Sequence, residues 1–305
     1  MKRLHLHFMV QNRRNSRLSW VRHLGVKKLL RELFLGQGIY VSRATSKDEL
    51  ESLLHLTCLW TPKESLIRVG SRFDGGYVIP DVVPGYTTCH SAGVGDNCDF
   101  EMALAASGTR CFLLDGTIDK LPIQTKYTQS QISFEKTNLD SFKSSSGTDM
   151  THWLDSTEST LEGKRLLKLD IEGSEYAVLW NVNSDQLAQF YCLVIEFHHV
   201  DAILLGPVKW IYADVMKKVT ESHKLVHVHP NNCSKPIRYG DTYIPSVLEM
   251  TFVRNDGVLA RAKSTHLPSP LDAPNLPDKE DFALHKSWYM TTPQAGNVQT
   301  TRGLS

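Results

Sequence analysis

Short apolar runs, each ending in glycine or polar residues, recur through the middle of the chain. They cover residues 87–91, 110–114, 131–136, 166–171, 191–197, 224–229 and 247–254. Several are followed by residues whose apolar positions repeat at helical spacing. Continuous apolar runs of this length are typical of strands buried on both faces of a parallel sheet. The pattern therefore predicts an α/β domain built on a mostly parallel sheet.

A helix and a hairpin are predicted ahead of this sheet. Leucines repeat at helical spacing after residue 47, with Ser46 at the N-cap position and Glu49 at the capping-box position. Asp74, Gly75 and Gly76 lie between two apolar runs and predict a tight hairpin turn. We expect helix and hairpin over 46–85, the core sheet over 86–256, a proline-rich wrapping segment over 257–289 and a disordered tail over 290–305.

The first 45 residues form a separate, basic segment. They contain ten lysines and arginines but one acid, Glu32, and their leucines recur at roughly helical spacing. Such an amphipathic segment can rest on a membrane surface, act as a transit peptide or dock on a partner. It can equally be a solvated helix or a connection to a preceding domain. The sequence leaves these alternatives open.

The composition of the whole chain narrows the function classes. Its 305 residues carry a net charge of +1, which argues against a dedicated nucleic-acid binder. No apolar run approaches the ~20 residues that span a bilayer, and no secretory signal peptide is evident. The six cysteines are scattered without metal-binding spacing. We therefore expect them to be small core residues of a protein in the cytoplasm or another reducing intracellular compartment.

A glycine turn followed by an acid is the first candidate site. Gly93 and Gly95 follow the first run of the sheet, and Asp115 ends the next run about twenty residues later. In nucleoside-binding α/β folds an acid at this position accepts hydrogen bonds from a ribose diol. Asp96 or Asn97 can cap the helix after the turn. Position 98 is cysteine rather than the third glycine of a dinucleotide fingerprint, which weakens the prediction of an NAD site.

Ionisable and amide side chains collect at the ends of three later runs. They are Asp170, Glu172 and Glu175 after the fourth, Glu196, His198 and His199 at the fifth, and His227, His229, Asn231 and Asn232 at the sixth. Ligands of open α/β sheets bind beyond the carboxyl ends of the strands. Strand alternation places Glu196 and His198 on one side, and it gives His227 and His229 the same direction. His229, nearer the end of its run, is the better candidate of that pair.

Four motifs together resemble the FkbM-like S-adenosylmethionine-dependent methyltransferases. They are the stretch Lys168 to Leu179, the hairpin Arg68 to Val78, the turn Gly93 to Glu101 with Asp115, and His227 to Asn232 followed by Leu248 to Arg254. The resemblance covers about residues 64–278. It implies a Rossmann-like class I sheet of seven strands, with helices on both faces and an antiparallel last strand. It also implies methyl transfer from S-adenosylmethionine to a hydroxyl, most often of a sugar or a polyketide-type metabolite.

The resemblance and the residue pattern together assign the site. The expected cofactor-binding residues are Gly93, Gly95, Asp96, Phe100, Glu101, Asp115, Gly116 and Thr117. Asp170, His198 and His229 are the catalytic candidates, and Trp153 is a candidate for packing on the adenine ring. Glu172, Glu196, Asn231 and Asn232 are candidates for binding the acceptor. Asp170, Glu196 and His198 can also hold Mg²⁺ or Mn²⁺.

Two other classes of function compete with methyl transfer. An NAD-dependent oxidoreductase can use the same sheet, but the missing glycine at position 98 disfavours it. A non-catalytic interaction protein has no reason to keep acids and histidines together at three strand ends. The expected partner is thus a small-molecule or glycan acceptor. Nucleic acid is disfavoured by the net charge, although the basic first 45 residues keep it open.

Overall fold

The computed structural model describes residues 28–39, 41–82, 85–122, 131–157, 162–262 and 267–290. The chain divides into two units, residues 1–43 and 44–305. In the first unit, residues 28–35 are helical (α1) and expose Leu29, Leu30 and Leu33. The rest of the basic segment, residues 1–27, and the predicted disordered tail from 291 onward lie outside the described residues.

Helix α2 (Lys47–Leu54) opens the second unit as the sequence predicts. The Ser46 side chain accepts a hydrogen bond from the backbone N–H of Glu49, and the Glu49 carboxylate accepts one from the backbone N–H of Ser46. This capping box satisfies two of the free N–H groups of the helix start. Three leucines of the helix, Leu50, Leu53 and Leu54, are buried. The helix passes into a 3₁₀ turn at His55–Thr57.

The hairpin follows strand β1 (Trp60–Pro62) and differs from its prediction in one respect. Strands β2 (Leu66–Gly70) and β3 (Gly76–Pro80) pair antiparallel, as expected. The tight turn predicted at Asp74-Gly75-Gly76 is wrong, because Gly76 already pairs with Gly70 and residues 71–75 form a longer loop. Arg68 holds that loop by donating hydrogen bonds to the carbonyls of Ser71 (3.1 Å) and Phe73 (2.8 Å). We call residues 71–75 the hairpin loop.

The predicted Rossmann-like sheet of seven strands is confirmed. Its order is β11-β14-β10-β9-β4-β5-β6. The strands are β4 (Thr88–Ala92), β5 (Arg110–Leu114), β6 (Ile132–Glu135), β9 (Arg165–Leu169), β10 (Cys192–Phe197), β11 (His223–Pro230) and β14 (Leu248–Arg254). All neighbours pair in parallel except β14, which lies antiparallel between β10 and β11. Every residue of β4, β9, β10 and β11 is buried apart from Lys224, which explains their continuous apolar runs.

Helices cover both faces of the sheet, as predicted. Helix α3 (Asp99–Ala106) packs with the β2–β3 hairpin in one apolar cluster. The other face holds α2 together with α4 (Met150–Ser156), α5 (Glu175–Asn181), α6 (Ser184–Ala188) and α7 (Lys209–Ser222). Because one face carries a short helix beside a hairpin, the hairpin loop can reach the carboxyl ends of the strands.

Three small strand pairs were not predicted. They are β7 (Asn138–Leu139) with β8 (Gly147–Thr148), β12 (Ile237–Tyr239) with β13 (Thr242–Ile244), and β1 with β15 (Val258–Arg261). Each contains only two to four residues per strand, too short for a recognisable alternation of apolar and polar positions.

The proline-rich wrapping segment is held by buried polar contacts. His227 Nε2 lies 2.7 Å from Asp272 Oδ1, and His229 Nε2 lies 3.2 Å from Asp281 Oδ2. Asn232 donates hydrogen bonds to the carbonyls of Leu276 and Lys279. Since His227, His229 and Asn232 are all buried, these contacts fix the wrapping segment against β11.

All six cysteines are free, and the five buried ones confirm the expectation of core residues. The expectation is wrong for Cys233, which is exposed. Within the described parts of the chain, no helix combines the length and the apolar character needed to cross a membrane.

The pKa of His229 makes the stability of this arrangement depend on pH. Burial lowers the pKa of His229. The hydrogen bond with Asp281 and the charges of Glu249 and Asp272 raise the pKa by more than burial lowers it, so the net value is above the ordinary one. A histidine whose pKa rises on folding contributes stability that is fully present below its unfolded pKa of about 6.5. That stability is lost as the pH rises through the folded pKa.

Replacing His229 by glutamine should therefore cost more stability in acid than in base. The loss of a buried ionic partner should lower the free energy of unfolding by about 3 kcal/mol at about pH 6. At about pH 9, where less of the wild-type histidine is protonated than at about pH 6, the difference between the two proteins should be smaller. Urea denaturation of both proteins at the two pH values measures this. An equal difference at both would contradict the prediction.

Candidate active site

The candidate site lies where the order of the strands reverses. From β4 the chain proceeds to β5 and β6 on one side, and then returns to β9 on the other side of β4. At the carboxyl ends of these strands lies a cavity of 520 Å³. Ligands of open α/β sheets bind at such a reversal point, and the volume is in the range of small-molecule sites.

The glycine turn forms one wall of this cavity. Gly93 has a φ of 78°, and a Cβ placed on it would lie 1.6 Å from the carbonyl oxygen of Asp170. Only glycine therefore fits where the ends of β4 and β9 approach each other. Gly95 also has a positive φ, 60°, but a Cβ there would meet no atom within 4 Å. The two glycines thus have different reasons to be glycine: close packing at Gly93 and backbone conformation at Gly95.

The structure joins Asp115 to the glycine turn, the pair that the sequence singles out. Asp115 Oδ2 accepts hydrogen bonds from the N–H groups of Val94 and Gly95, each 2.8 Å long. Its Oδ1 accepts from the N–H and the hydroxyl of Thr117. Burial raises the pKa of Asp115, but these hydrogen bonds lower it more, to about 2. A ribose diol can donate hydrogen bonds to Oδ1 of this carboxylate when the exposed Thr117 turns away from it.

The other expected cofactor-binding residues surround the same cavity. Asp96, Phe100, Glu101, Gly116 and Thr117 all line it. Phe100 and Glu101 are buried, and Phe100 packs edge-on against Tyr77. The N-cap residue of helix α3 is Cys98 rather than Asp96 or Asn97, although the Asn97 side chain accepts a hydrogen bond from Asp99 N–H. Sequence reasoning thus placed the cap one or two residues early.

Asp170 lies at the end of β9 and is held by two residues that sequence reasoning did not assign. The Tyr77 hydroxyl donates a 2.8 Å hydrogen bond to Asp170 Oδ2. Lys168 Nζ is 3.4 Å from the same oxygen and donates a hydrogen bond to the Gly93 carbonyl. No described residue donates a hydrogen bond to Oδ1, which is therefore the oxygen available to a ligand.

Lys168 is an unusual residue for the middle of a parallel sheet, because it is only 4% exposed. Burial lowers the pKa of Lys168, but the charges of Asp170, Glu101 and Glu196 raise it more, and the net value is above the ordinary one. The lysine therefore stays charged. It supplies the positive charge that buried carboxylates at this edge require.

Behind Asp170 lie two more of the predicted residues, Glu196 and His198. One ligand atom from each of the three lies within 4.8 Å of the others. Neither Glu196 nor His198 lines the cavity itself. Burial and the charges of Asp170 and Glu249 raise the pKa of Glu196 well above its ordinary value. Asn231, predicted to bind the acceptor, instead donates a 2.9 Å hydrogen bond to Glu196 Oε1.

The orientation of His198 is fixed by Glu175, whose importance the sequence did not reveal. The carboxylate of Glu175 is fully buried, accepts hydrogen bonds from the N–H groups of Ile171 and Gly173, and lies 3.1 Å from His198 Nδ1. His198 Nε2 then points towards Glu172 (3.4 Å) and Glu196 (4.0 Å). Burial lowers the pKa of His198, but Glu175 and the neighbouring acids raise it more. Glu172 itself is exposed and lines the cavity.

Three other candidates are not brought into the cavity. His229 and Asn232 are buried against the wrapping segment, and their contacts favour a structural role over a catalytic or acceptor-binding one. Trp153 is buried in the core, packs against His90 and does not line this cavity. Polar residues at a strand end can face either the ligand crevice or an added segment, and the sequence alone does not distinguish the two.

The cavity is strongly acidic. Its lining includes the carboxylates of Asp74, Asp96, Glu101, Asp115, Asp140, Asp170 and Glu172. Among the described lining residues, Lys168 is the one lysine or arginine, and it is engaged with Gly93 and Asp170. Such a lining favours a cationic ligand and disfavours one that carries phosphate groups.

Replacing Gly93 by alanine should disrupt the site far more than the same change at Gly95. The new Cβ at Gly93 meets backbone that cannot move aside, so we expect the free energy of unfolding to fall by about 4 kcal/mol or more. At Gly95 the cost is the left-handed backbone alone, about 1–2 kcal/mol. Denaturant unfolding of the two variants measures this. Equal costs would mean that the contact between Gly93 and the Asp170 carbonyl is not tight.

Comparison with known proteins gives a similarity of fold only. The chain matches no protein-family model and no curated protein sequence. Similar solved structures include N-methyltransferase NodS from Bradyrhizobium japonicum WM9, with 13% identity over 56% of this chain and 86% of that chain and a TM-score of 0.31. A TehB-like SAM-dependent methyltransferase from Corynebacterium glutamicum ATCC 13032 Kitasato has 18% identity over 57% of this chain and 83% of that chain, with a TM-score of 0.31. Methyltransferase CalO6 has 13% identity over 54% of this chain and 56% of that chain, with a TM-score of 0.21. These values carry no argument about activity, so the resemblance to FkbM-like proteins rests on the motifs alone.

Proposed function

We propose that this protein is an S-adenosylmethionine-dependent O-methyltransferase whose acceptor is a hydroxyl, most simply that of a sugar or glycan. The observation that carries the proposal is an acidic cavity at the reversal point of the sheet, bounded by a glycine turn that is bonded to Asp115. S-adenosylmethionine is a nucleoside with a positively charged sulfonium, a positively charged amino group and one carboxylate, so its net charge is positive, and it has no phosphate. It supplies a methyl group on carbon already activated for displacement.

The residues present fit this cosubstrate. Gly93 and Gly95 leave the turn open beside it, and Asp115 can accept the ribose hydroxyls. Leu114, Leu139 and Ile171 give the cavity an apolar part for the adenine ring. The surrounding carboxylates favour the two positive charges. A dinucleotide would instead place its pyrophosphate near Asp96 and Glu101 at the start of α3, where like charges repel, so the oxidoreductase alternative is disfavoured.

Asp170 is the group that can receive the acceptor. Its Oδ1 has no donor among the described residues, while Tyr77 and Lys168 hold Oδ2. A carboxylate fixed in this way can orient an acceptor hydroxyl and accept its proton as the hydroxyl attacks the methyl carbon. His198 lies beside Asp170 and can accept the proton from it.

Calorimetric titration with S-adenosylhomocysteine tests this proposal. We expect the wild type to bind it and to give no heat with NAD. In Asp115→Asn the Kd should rise about tenfold or more, because a charge-assisted hydrogen bond to the ribose is lost. Asp119→Asn, an exposed carboxylate just after the same strand, is the control and should bind like the wild type. Binding of NAD in place of S-adenosylhomocysteine would contradict the proposal.

We also propose that Asp170, Glu196 and His198 bind a divalent cation, Mn²⁺ or Mg²⁺. The three offer two carboxylate oxygens and one imidazole nitrogen within 4.8 Å, a donor set that suits Mn²⁺. Each ligand has a supporting residue: Tyr77 for Asp170, Asn231 for Glu196 and Glu175 for His198. A histidine whose second nitrogen is bonded to a carboxylate is the usual arrangement of a metal ligand. Such a cation would lower the pKa of a bound hydroxyl.

Titration with Mn²⁺, followed by electron paramagnetic resonance, tests the metal site. We expect binding in the wild type and a Kd that rises about tenfold or more in Asp170→Asn and in Glu196→Gln. Asp96→Asn removes an exposed carboxylate of the same cavity outside the cluster and should leave the Kd unchanged. No binding at millimolar Mn²⁺ would contradict the metal site and would leave Asp170 as the residue that contacts the acceptor hydroxyl.

A further inference from the structure

A second cavity lies beside the first, between the hairpin loop and the wrapping segment. It is open and has a volume of 580 Å³. Arg68, Arg72 and Phe73 line it from the hairpin. The wrapping segment contributes Pro270, Leu271, Asp272, Ala273, Pro274 and Pro277. One side is therefore cationic, and the opposite side is an apolar, proline-rich surface.

Neither arginine of this cavity forms an ion pair with a described carboxylate, although the charge of Arg68 partly offsets the rise that burial gives the pKa of Glu249. Arg72 is exposed and lies 5.6 Å from the ring centre of Phe73, and no described residue forms a hydrogen bond or an ion pair with its guanidinium. Arg68 bonds only to backbone carbonyls of the hairpin loop. The one carboxylate in the lining, Asp272, is 3% exposed and already paired with His227 and with the N–H of Ser269. The cavity thus offers two arginines to an anion.

The hairpin loop separates this cavity from the acidic one. Its Arg72 and Phe73 line the second cavity, while Asp74 and Gly75 line the first. The loop is tied to the glycine turn because Asn97 donates a 2.9 Å hydrogen bond to the Asp74 carbonyl. A ligand long enough to pass over the loop would contact both cavities.

We propose that the acceptor is an acidic sugar, whose carboxylate, sulfate or phosphate group binds Arg68 and Arg72 while its reacting hydroxyl reaches Asp170. This inference rests on the proposed function. Charge selects the occupant: the anionic group is repelled by the carboxylates of the first cavity and attracted by the arginines of the second. Phe73 and the prolines offer the apolar surface on which a sugar ring packs. The two cavities together thus determine the orientation in which the acceptor binds.

Binding of small sugars to the full-length protein tests the inference. The probes are glucuronate, a glucose sulfate, a glucose phosphate and glucose itself, each titrated with S-adenosylhomocysteine present. We expect at least one acidic sugar to bind about tenfold more tightly than glucose, and Arg72→Gln to remove that preference. The control is Arg261→Gln, an exposed arginine likewise stacked on an aromatic ring, Trp60, and it should behave like the wild type.

The outcomes separate this inference from the proposed function. If S-adenosylhomocysteine binds but no acidic sugar is preferred over glucose, or the preference survives in Arg72→Gln, the acidic-sugar inference is wrong and the methyltransferase proposal stands. If S-adenosylhomocysteine does not bind the wild type, the proposed function fails, and the inference falls with it. Unchanged binding of S-adenosylhomocysteine to Arg72→Gln shows that this variant keeps the first cavity intact.

Discussion

One buried cation, Lys168, joins the two strand ends on which the site is built. It donates a hydrogen bond to the Gly93 carbonyl at the end of β4 and lies 3.4 Å from Asp170 at the end of β9. Around it are the carboxylates of Asp170, Glu101 and Glu196, whose charges raise its pKa. Without that cation the acids would repel one another in a largely buried region, where water screens charges poorly. A leucine at this position would fit the apolar strand, but it would leave these carboxylates without a positive charge between them.

Under the proposed function, the two cavities would divide the charges of the two substrates between them. The first is lined by carboxylates and suits a ligand with positive groups, whereas the second presents arginines and suits an anion. Opposite charges so close together would normally form salt bridges. Here the hairpin loop separates them, and the hydrogen bonds from Arg68 to its backbone hold the loop in place. Arg72 therefore remains available to a ligand, and Arg68 adds its positive charge to the same cavity while it holds the loop.

The sequence predicted what depends on local pattern and missed what depends on contact between distant residues. Apolar runs identify most of the seven strands because these are buried along nearly their whole length, whereas β6 alternates between half-buried and exposed residues. The pairing of the glycine turn with Asp115 was found because the spacing reflects one strand and one helix. Tyr77 and Asp170 are 93 residues apart, and nothing in the hairpin sequence indicates that this tyrosine bonds to the carboxylate. The sequence predicted site roles for His229 and Asn232 because ligand-binding residues often lie at strand ends. In the structure both side chains instead contact the wrapping segment.

The position of Glu175 shows why a helix start next to a strand end can be more than a favourable charge. An acid in the first turn of a helix is stabilised by the helix dipole, which is a sufficient reason for its presence. In this fold the side chain instead turns back, accepts hydrogen bonds from the loop between β9 and α5, and fixes His198 on the neighbouring strand. The same carboxylate therefore sets the shape of the loop and the direction of the imidazole. A change at Glu175 would move both together, so its effect on ligand binding would exceed that expected for the loss of one hydrogen bond.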